Sequence, residues 1–220
     1  LNTVQQGIFN VLGDQKVDPV LGAYSNYTGS IVVHQGFGAI ITLVLYGLWN
    51  ARDHLRDVCR KAFRGAPSVD DSGEILSYRT AMLLLIASLT FMGVWIWQSG
   101  LPAWVTPFYL FFAFVLFLGI TRVVAEGGLA FVFAPMIASD FVAAGFGTRT
   151  IGSSGIVALA FTYVWASEIL PFVMASSSNA LKLATETIKR GRRLVFWAML
   201  VAIVGALLCS VWTILELAYQ

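Results

Sequence analysis

The stretch AEGGLAFVFAPMIASDFVAAGFGTRT, residues 125–150, decides the fold. It is largely apolar, yet Gly127, Gly128, Pro135, Gly145 and Gly147 break it and Asp140 charges it. Glycine costs a helix interior about 1 kcal/mol relative to alanine, and proline removes a backbone donor. A regular crossing of a bilayer takes about 20 apolar residues, and the uncharged run before Asp140 is shorter than that. The segment therefore reads as a discontinuous or partly re-entrant element. Such backbone survives at membrane depth only when protein or a watery cavity satisfies its N–H and C=O groups.

The rest of the chain supplies the membrane context. Of 220 residues, 58% are apolar and 12% charged, whereas soluble domains carry about 45–50% and about 25%. Mean hydropathy is +0.77, which excludes a soluble globular domain. Fourteen Lys and Arg nearly balance 12 Asp and Glu, for a net charge of +2. That balance excludes both a disordered chain and a basic nucleic-acid-binding face. Cys59 lies in a charged stretch and Cys209 in an apolar one, so neither a disulfide framework nor a zinc site is supported.

Working outward, the sequence predicts an all-α polytopic membrane protein with about five transmembrane helices plus the glycine-broken element. Spans are expected over about 31–49, 80–98, 104–123, 151–174 and 194–219, with 125–150 as the broken crossing. Residues 51–79 carry Arg52, Arg56, Arg60, Lys61, Arg64 and Arg79, and residues 176–193 carry Lys182, Lys189, Arg190, Arg192 and Arg193. The positive-inside rule makes both of them cytoplasmic loops. The short uncharged connection 99–103, with Gly100 and Pro102, makes a tight hairpin with its tip outside. Residues 1–30 form an extracytoplasmic loop, and the transmembrane domain occupies 31–220. The opening run LNTVQQGIFNVLGDQ lacks the basic start and apolar core of a secretory signal, and the chain reads as part of a longer one. In the first cytoplasmic segment, Leu55, Val58, Cys59 and Phe63 share a helical face opposite Arg and Asp. It is expected to lie on the membrane surface as an amphipathic anchor.

Charged groups inside a membrane cost about 2.5 to 3.5 kcal/mol each at mid-span on insertion scales, so each needs a partner or a purpose. Arg122 and Glu126 stand four residues apart on one helix face. They are either a structural ion pair or part of a substrate or ion site, with Gly127 and Gly128 freeing the backbone beside them. Glu168 lies three residues before Pro171, which deprives the Ser167 carbonyl of its helical hydrogen bond. Carboxylate and free carbonyl together suit a hard cation or a proton relay; the alternative is a kinked packing helix. Asp140 and Arg149 flank GFGTRT, where glycine serves tight turning better than an anion cradle. His34 reads as a packing residue, and Asn26-Tyr27-Thr28 matches a glycosylation acceptor by a pattern common by chance. Nothing resembles a Ser-His-Asp triad, HExxH, CxxC or Walker pattern, so no enzyme activity, metal or cofactor is expected.

The segments SYRTA (77–81), RVVAEGGLAFVFAP (122–135) and SSSNALKLATETIKRGRR (176–193) resemble the C-terminal part of bacterial permease-like proteins that are similar to the oligopeptide transporter superfamily. The likeness runs from about Phe37 onward. Its most specific piece is AEGG after a span ending in Arg; around Leu181-Lys182 the family's acidic residue and glycine are replaced. The resemblance implies a polytopic carrier of the bacterial inner membrane with discontinuous elements near mid-membrane. The expected function is ion-coupled transport of a small solute, a peptide or metal chelate. The alternative is a structural or accessory subunit of a larger respiratory or photosynthetic membrane complex. Expected partners are the lipid bilayer, a solute or coupling ion, and the remainder of its own chain or neighbouring membrane subunits.

Overall fold

A computed structural model describes residues 30–65, 76–129, 132–163, 173–187 and 192–219. Among these residues the protein is helical without strands. The elements are α1 (Ser30–Asn50), α2 (Arg52–Arg64), α3 (Tyr78–Gln98), α4 (Val105–Gly127), α5 (Ala138–Phe146), α6 (Thr148–Phe161), α7 (Val173–Thr187) and α8 (Arg192–Tyr219). Three described helical stretches, Tyr78–Gln98, Val105–Gly127 and Leu194–Tyr219, are long and apolar enough to cross a membrane. This is a helical membrane protein.

Helix α4 is the centre of the fold. Its apolar stretch is 44% buried, against 6% for α3 and none for α8. Two cores share it. Toward its start, Val105, Tyr109 and Ala113 pack with Ile96 and Leu101 of the hairpin, Ala138 and Val142 of α5, and Ile151, Ala158 and Leu159 of α6. Toward its end, Leu116, Ile120 and Val124 pack with Val33 and Phe37 of α1, Ala134 and Met136 of the extended segment before α5, and Ala175 of α7.

The pairing of α1 with α4 is parallel. Phe37 packs near Phe112, Gly119 faces Ile40 and Val44, and Gly47 faces Arg122. Glycine makes this approach possible: a Cβ on Gly119 would overlap the Ile40 methyl; on α1, one on Gly36 would fall 2.9 Å from Pro135 Cβ in the segment before α5. Lipid provides no hydrophobic drive for helices to associate, so close backbone approach at small residues has to supply the contact.

Ends and turns follow local chemistry. Ser77 caps α3 by accepting a hydrogen bond from Thr80 N at 3.2 Å. Gly65, with φ 64, closes α2 by donating to Lys61 O. Helix α2 packs against α3, with Ala62 buried and Leu55 and Phe63 exposed. At the hairpin, Gly100 adopts φ 110 and abuts Ser154 of α6.

The predicted broken stretch is interrupted twice. Helix α4 stops at Gly127, with Gly128 left-handed at φ 63, and Gly147, with φ 78, separates α5 from α6. Within the expected irregular span 151–174, α6 begins at Thr148, is non-helical at Gly152 (φ 79, ψ 166) and ends at Phe161; residues 164–172, with Glu168 and Pro171, lie outside the described part of the chain. The stretch read as a loop from 176 is helical through Thr187, because α7 has α4 to pack against. Residues 1–29 lie outside the described part of the chain.

Two outcomes follow. Gly119→Ile should lower the stability of the detergent-purified protein by about 1–3 kcal/mol, the usual range for overpacking, measured by thermal unfolding. Cys59, and a cysteine placed by Ala180→Cys in a Cys59→Ser background, should both resist an impermeant maleimide in intact cells and react after permeabilisation. Labelling of only one of the two from outside would contradict the parallel α1 and α4 arrangement.

Candidate functional site

Polar groups gather at two levels along α4. The first is its C-terminal end. Arg122 Nε donates to Glu126 Oε1 at 2.7 Å, with the two side chains 35% and 65% exposed. A carboxylate at a helix C-terminus opposes the macrodipole, and the neighbouring cations offset it. Beyond Glu126 the helix ends at the glycine pair, leaving carbonyls without helical partners. Helix α7 supplies donors: Lys182 Nζ bonds Ala125 O at 2.7 Å, and Asn179 Nδ2 bonds Leu129 O at 3.1 Å. Asn179 and Lys182 lie three residues apart, hence on one face of α7. A cation on the last carbonyls of a helix is also favoured by the dipole.

The second level lies within the packed helices. Phe141 of α5 stacks on Phe37 at 4.3 Å between ring centroids and meets Phe112 at 4.7 Å. Both partners are the eighth residues of their helices, so Phe141 sits roughly 10 Å in from the helix starts at 1.5 Å per residue. The preceding residue is Asp140, whose carboxylate accepts a hydrogen bond from the Tyr163 hydroxyl. Beside it Ser139 is 2% exposed, and its hydroxyl makes no hydrogen bond among the described residues. Buried Tyr109 of α4 meets Thr162, which donates to Leu159 O at 2.6 Å. His34 of α1 approaches the far side of Phe141, 6.1 Å between centroids.

The structure thus separates the residues singled out from sequence. Arg122, Glu126, Gly127 and Gly128 form one cluster at the end of α4, and Asp140 belongs to the other. Ser167 and Glu168 lie outside the described residues. Arg149 is exposed at the start of α6, and Gly147 beside it serves as a turn. Among the described residues no group of three or more His, Cys, Asp or Glu side chains could hold a metal ion. Sequence reasoning missed Asn179, Lys182 and Tyr163. The spacing of Asn179 and Lys182 was visible, but not the carbonyls they serve; Tyr163 is 23 residues from its partner, beyond any helical periodicity.

The family described as "Family of unknown function (DUF6785)" matches residues 1–220. The chain belongs to that family. No curated protein and no solved structure matches it.

Removing the Tyr163 hydroxyl tests the inner cluster. Tyr163→Phe takes a donor from a carboxylate, and hydrogen bonds to charged groups contribute about 1.5–3 kcal/mol. Its thermal unfolding midpoint should fall clearly below that of wild type, while Tyr219→Phe, at a position 88% exposed, should leave the midpoint unchanged.

Proposed function

We propose that this chain forms part of an ion-coupled secondary transporter, a multi-pass protein of the bacterial inner membrane that moves a small solute such as a peptide or metal chelate. The observation that carries the reading is Asp140, a carboxylate held by Tyr163 among packed helices in an element broken at Gly128 and Gly147. An acid at such a depth is expensive and marks a candidate ion pathway, and interrupted helices beside it supply backbone groups able to face an ion or solute. The count of crossings on this reading is six: α1, α3, α4, the outward path through α5, the return that begins with α6, and α8. The likeness to oligopeptide transporters noted from AEGG and its surroundings supports the same class. It extends to no individual binding residue.

In this scheme Asp140 binds the coupling ion, Tyr163 orients its carboxylate, and the Arg122 pair holds the end of α4. No chemical bond is made or broken, and no enzyme activity is assigned. The rival reading, an accessory subunit of a larger membrane complex, finds room in the exposed apolar surfaces of α3 and α8; lipid covers such surfaces equally well, so they favour neither.

Full-length protein reconstituted in proteoliposomes should take up a member of a panel of dipeptides, tripeptides and ferric chelates when a proton or sodium gradient is imposed. Asp140→Asn should abolish gradient-driven uptake while leaving the circular dichroism spectrum and gel-filtration profile intact. Uptake that persists in Asp140→Asn at the wild-type rate would overturn the assignment of Asp140. Copurification of the protein in a stable complex that Asp140→Asn disperses would favour the accessory-subunit reading.

A further inference from the structure

A groove of about 550 Å³ lies between α1 and α4, lined by Ala39, Thr42, Leu43, Tyr46, Arg122 and Glu126. Its four α1 residues follow the i, i+3, i+4, i+7 spacing of one helical face. That face differs from the one that buries Val33, Phe37 and Val44. Leu43 and Tyr46 are 38% and 70% exposed, so among the described residues the groove opens away from the packed core. Its level is set by its neighbours. The Arg122 guanidinium lies against Gly47, in space a side chain there would fill. Gly47 comes three residues before the end of α1. Exposed Trp49 follows, with Arg52 of basic α2 5.1 Å from its ring centroid. Aromatic residues and a basic surface helix mark the head-group zone of a membrane.

The chemistry of the mouth is specific. Arg122 uses Nε on Glu126, and its two terminal nitrogens make no hydrogen bond among the described residues. Those nitrogens hold the remaining donors of a fork that suits phosphate. Glu126 stands beside them with its carboxylate open to the groove. An anionic head group alone would meet repulsion from Glu126, and a cation alone would meet repulsion from Arg122. A zwitterion carrying both phosphate and a primary ammonium satisfies the two together. The Tyr46 ring lines the same mouth, offering an aromatic face to the ammonium. Ala39 and Leu43 continue the groove as an apolar rail along α1.

We infer that this groove binds a phospholipid with a phosphoethanolamine head group, its phosphate on the terminal nitrogens of Arg122, its ammonium on Glu126, and an acyl chain along Ala39 and Leu43. The site is separate from Asp140 and stands or falls independently of transport.

The test uses full-length protein exchanged into nanodiscs holding equal amounts of phosphatidylethanolamine, phosphatidylcholine and phosphatidylglycerol, then released and weighed by native mass spectrometry. Wild type should retain phosphatidylethanolamine about tenfold over either competitor, the ratio that one charge-assisted hydrogen bond supports. Glu126→Gln should bring phosphatidylethanolamine and phosphatidylcholine to near equality. Arg122→Gln should lower retention of all three lipids. Because both substitutions touch the end of α4, Ala39→Trp serves as the independent variant: it fills the rail without touching the charges and should expel the lipid with little change in thermal unfolding. Retention in the bulk lipid ratio, or a phosphatidylethanolamine preference that survives Glu126→Gln, would overturn the proposal. So would a cysteine placed by Leu43→Cys that is shielded from labelling in lipid-free detergent, since protein would then fill the groove.

Discussion

Carbonyl groups left without helical partners where α4 stops are met by side chains of α7. That end of the structure is arranged around those bonds. Gly128 turns the chain at positive φ, and α7 crosses back to place Asn179 and Lys182 against Leu129 O and Ala125 O. Those two bonds join the packing of buried Ala175 in tying α7 to α4, and α7 is the principal contact of α8. Helix α8 itself buries none of its apolar stretch.

The other half of the argument is packing without a hydrophobic drive. In water, the apolar surface of α1 would be pushed onto α4; in lipid, both surfaces are equally well solvated before and after contact. What remains is dispersion, which falls steeply with separation. Gly119 and Gly36 let backbone and neighbouring side chains meet at contact distance, and Phe37, Phe112 and Phe141 close the gap with ring contacts of 4.3 to 6.2 Å between centroids. Glycine thus has opposite effects in two places: it ends a helix at Gly128 and tightens a helix pair at Gly119.

Much of this was legible in sequence for a physical reason. Long uninterrupted apolar runs announce α3, α4 and α8, because length and hydropathy alone determine whether a helix suits a bilayer. The breaks after Glu126 and before Thr148 were legible because clustered glycine weakens helices wherever it occurs. What stayed hidden depends on partners distant in sequence. Residues 176–187 are polar enough to read as a loop, and only the presence of α4 makes them a packed helix. Asp140 was conspicuous as a lone acid, but nothing within a few turns identified Tyr163 as its donor.

The separation of the two charged clusters carries a last consequence. Arg122 and Glu126 are adjacent on α4, and a pair at i, i+4 spacing neutralises itself at little cost wherever the helix happens to point. Such a pair needs no solute to justify its presence, and here it lies at a groove facing outward. Asp140 is different, because its hydrogen-bond donor comes from another element across the Gly147 turn. Its environment would change with any shift between α5 and the segment beyond α6 that carries Tyr163, whereas Arg122 and Glu126 share one helix. A group whose partner moves with conformation can couple ion occupancy to shape, and a group whose partner is built into its own helix cannot. On the reading proposed above, conformational coupling belongs to Asp140, and Arg122 and Glu126 are left to meet the membrane.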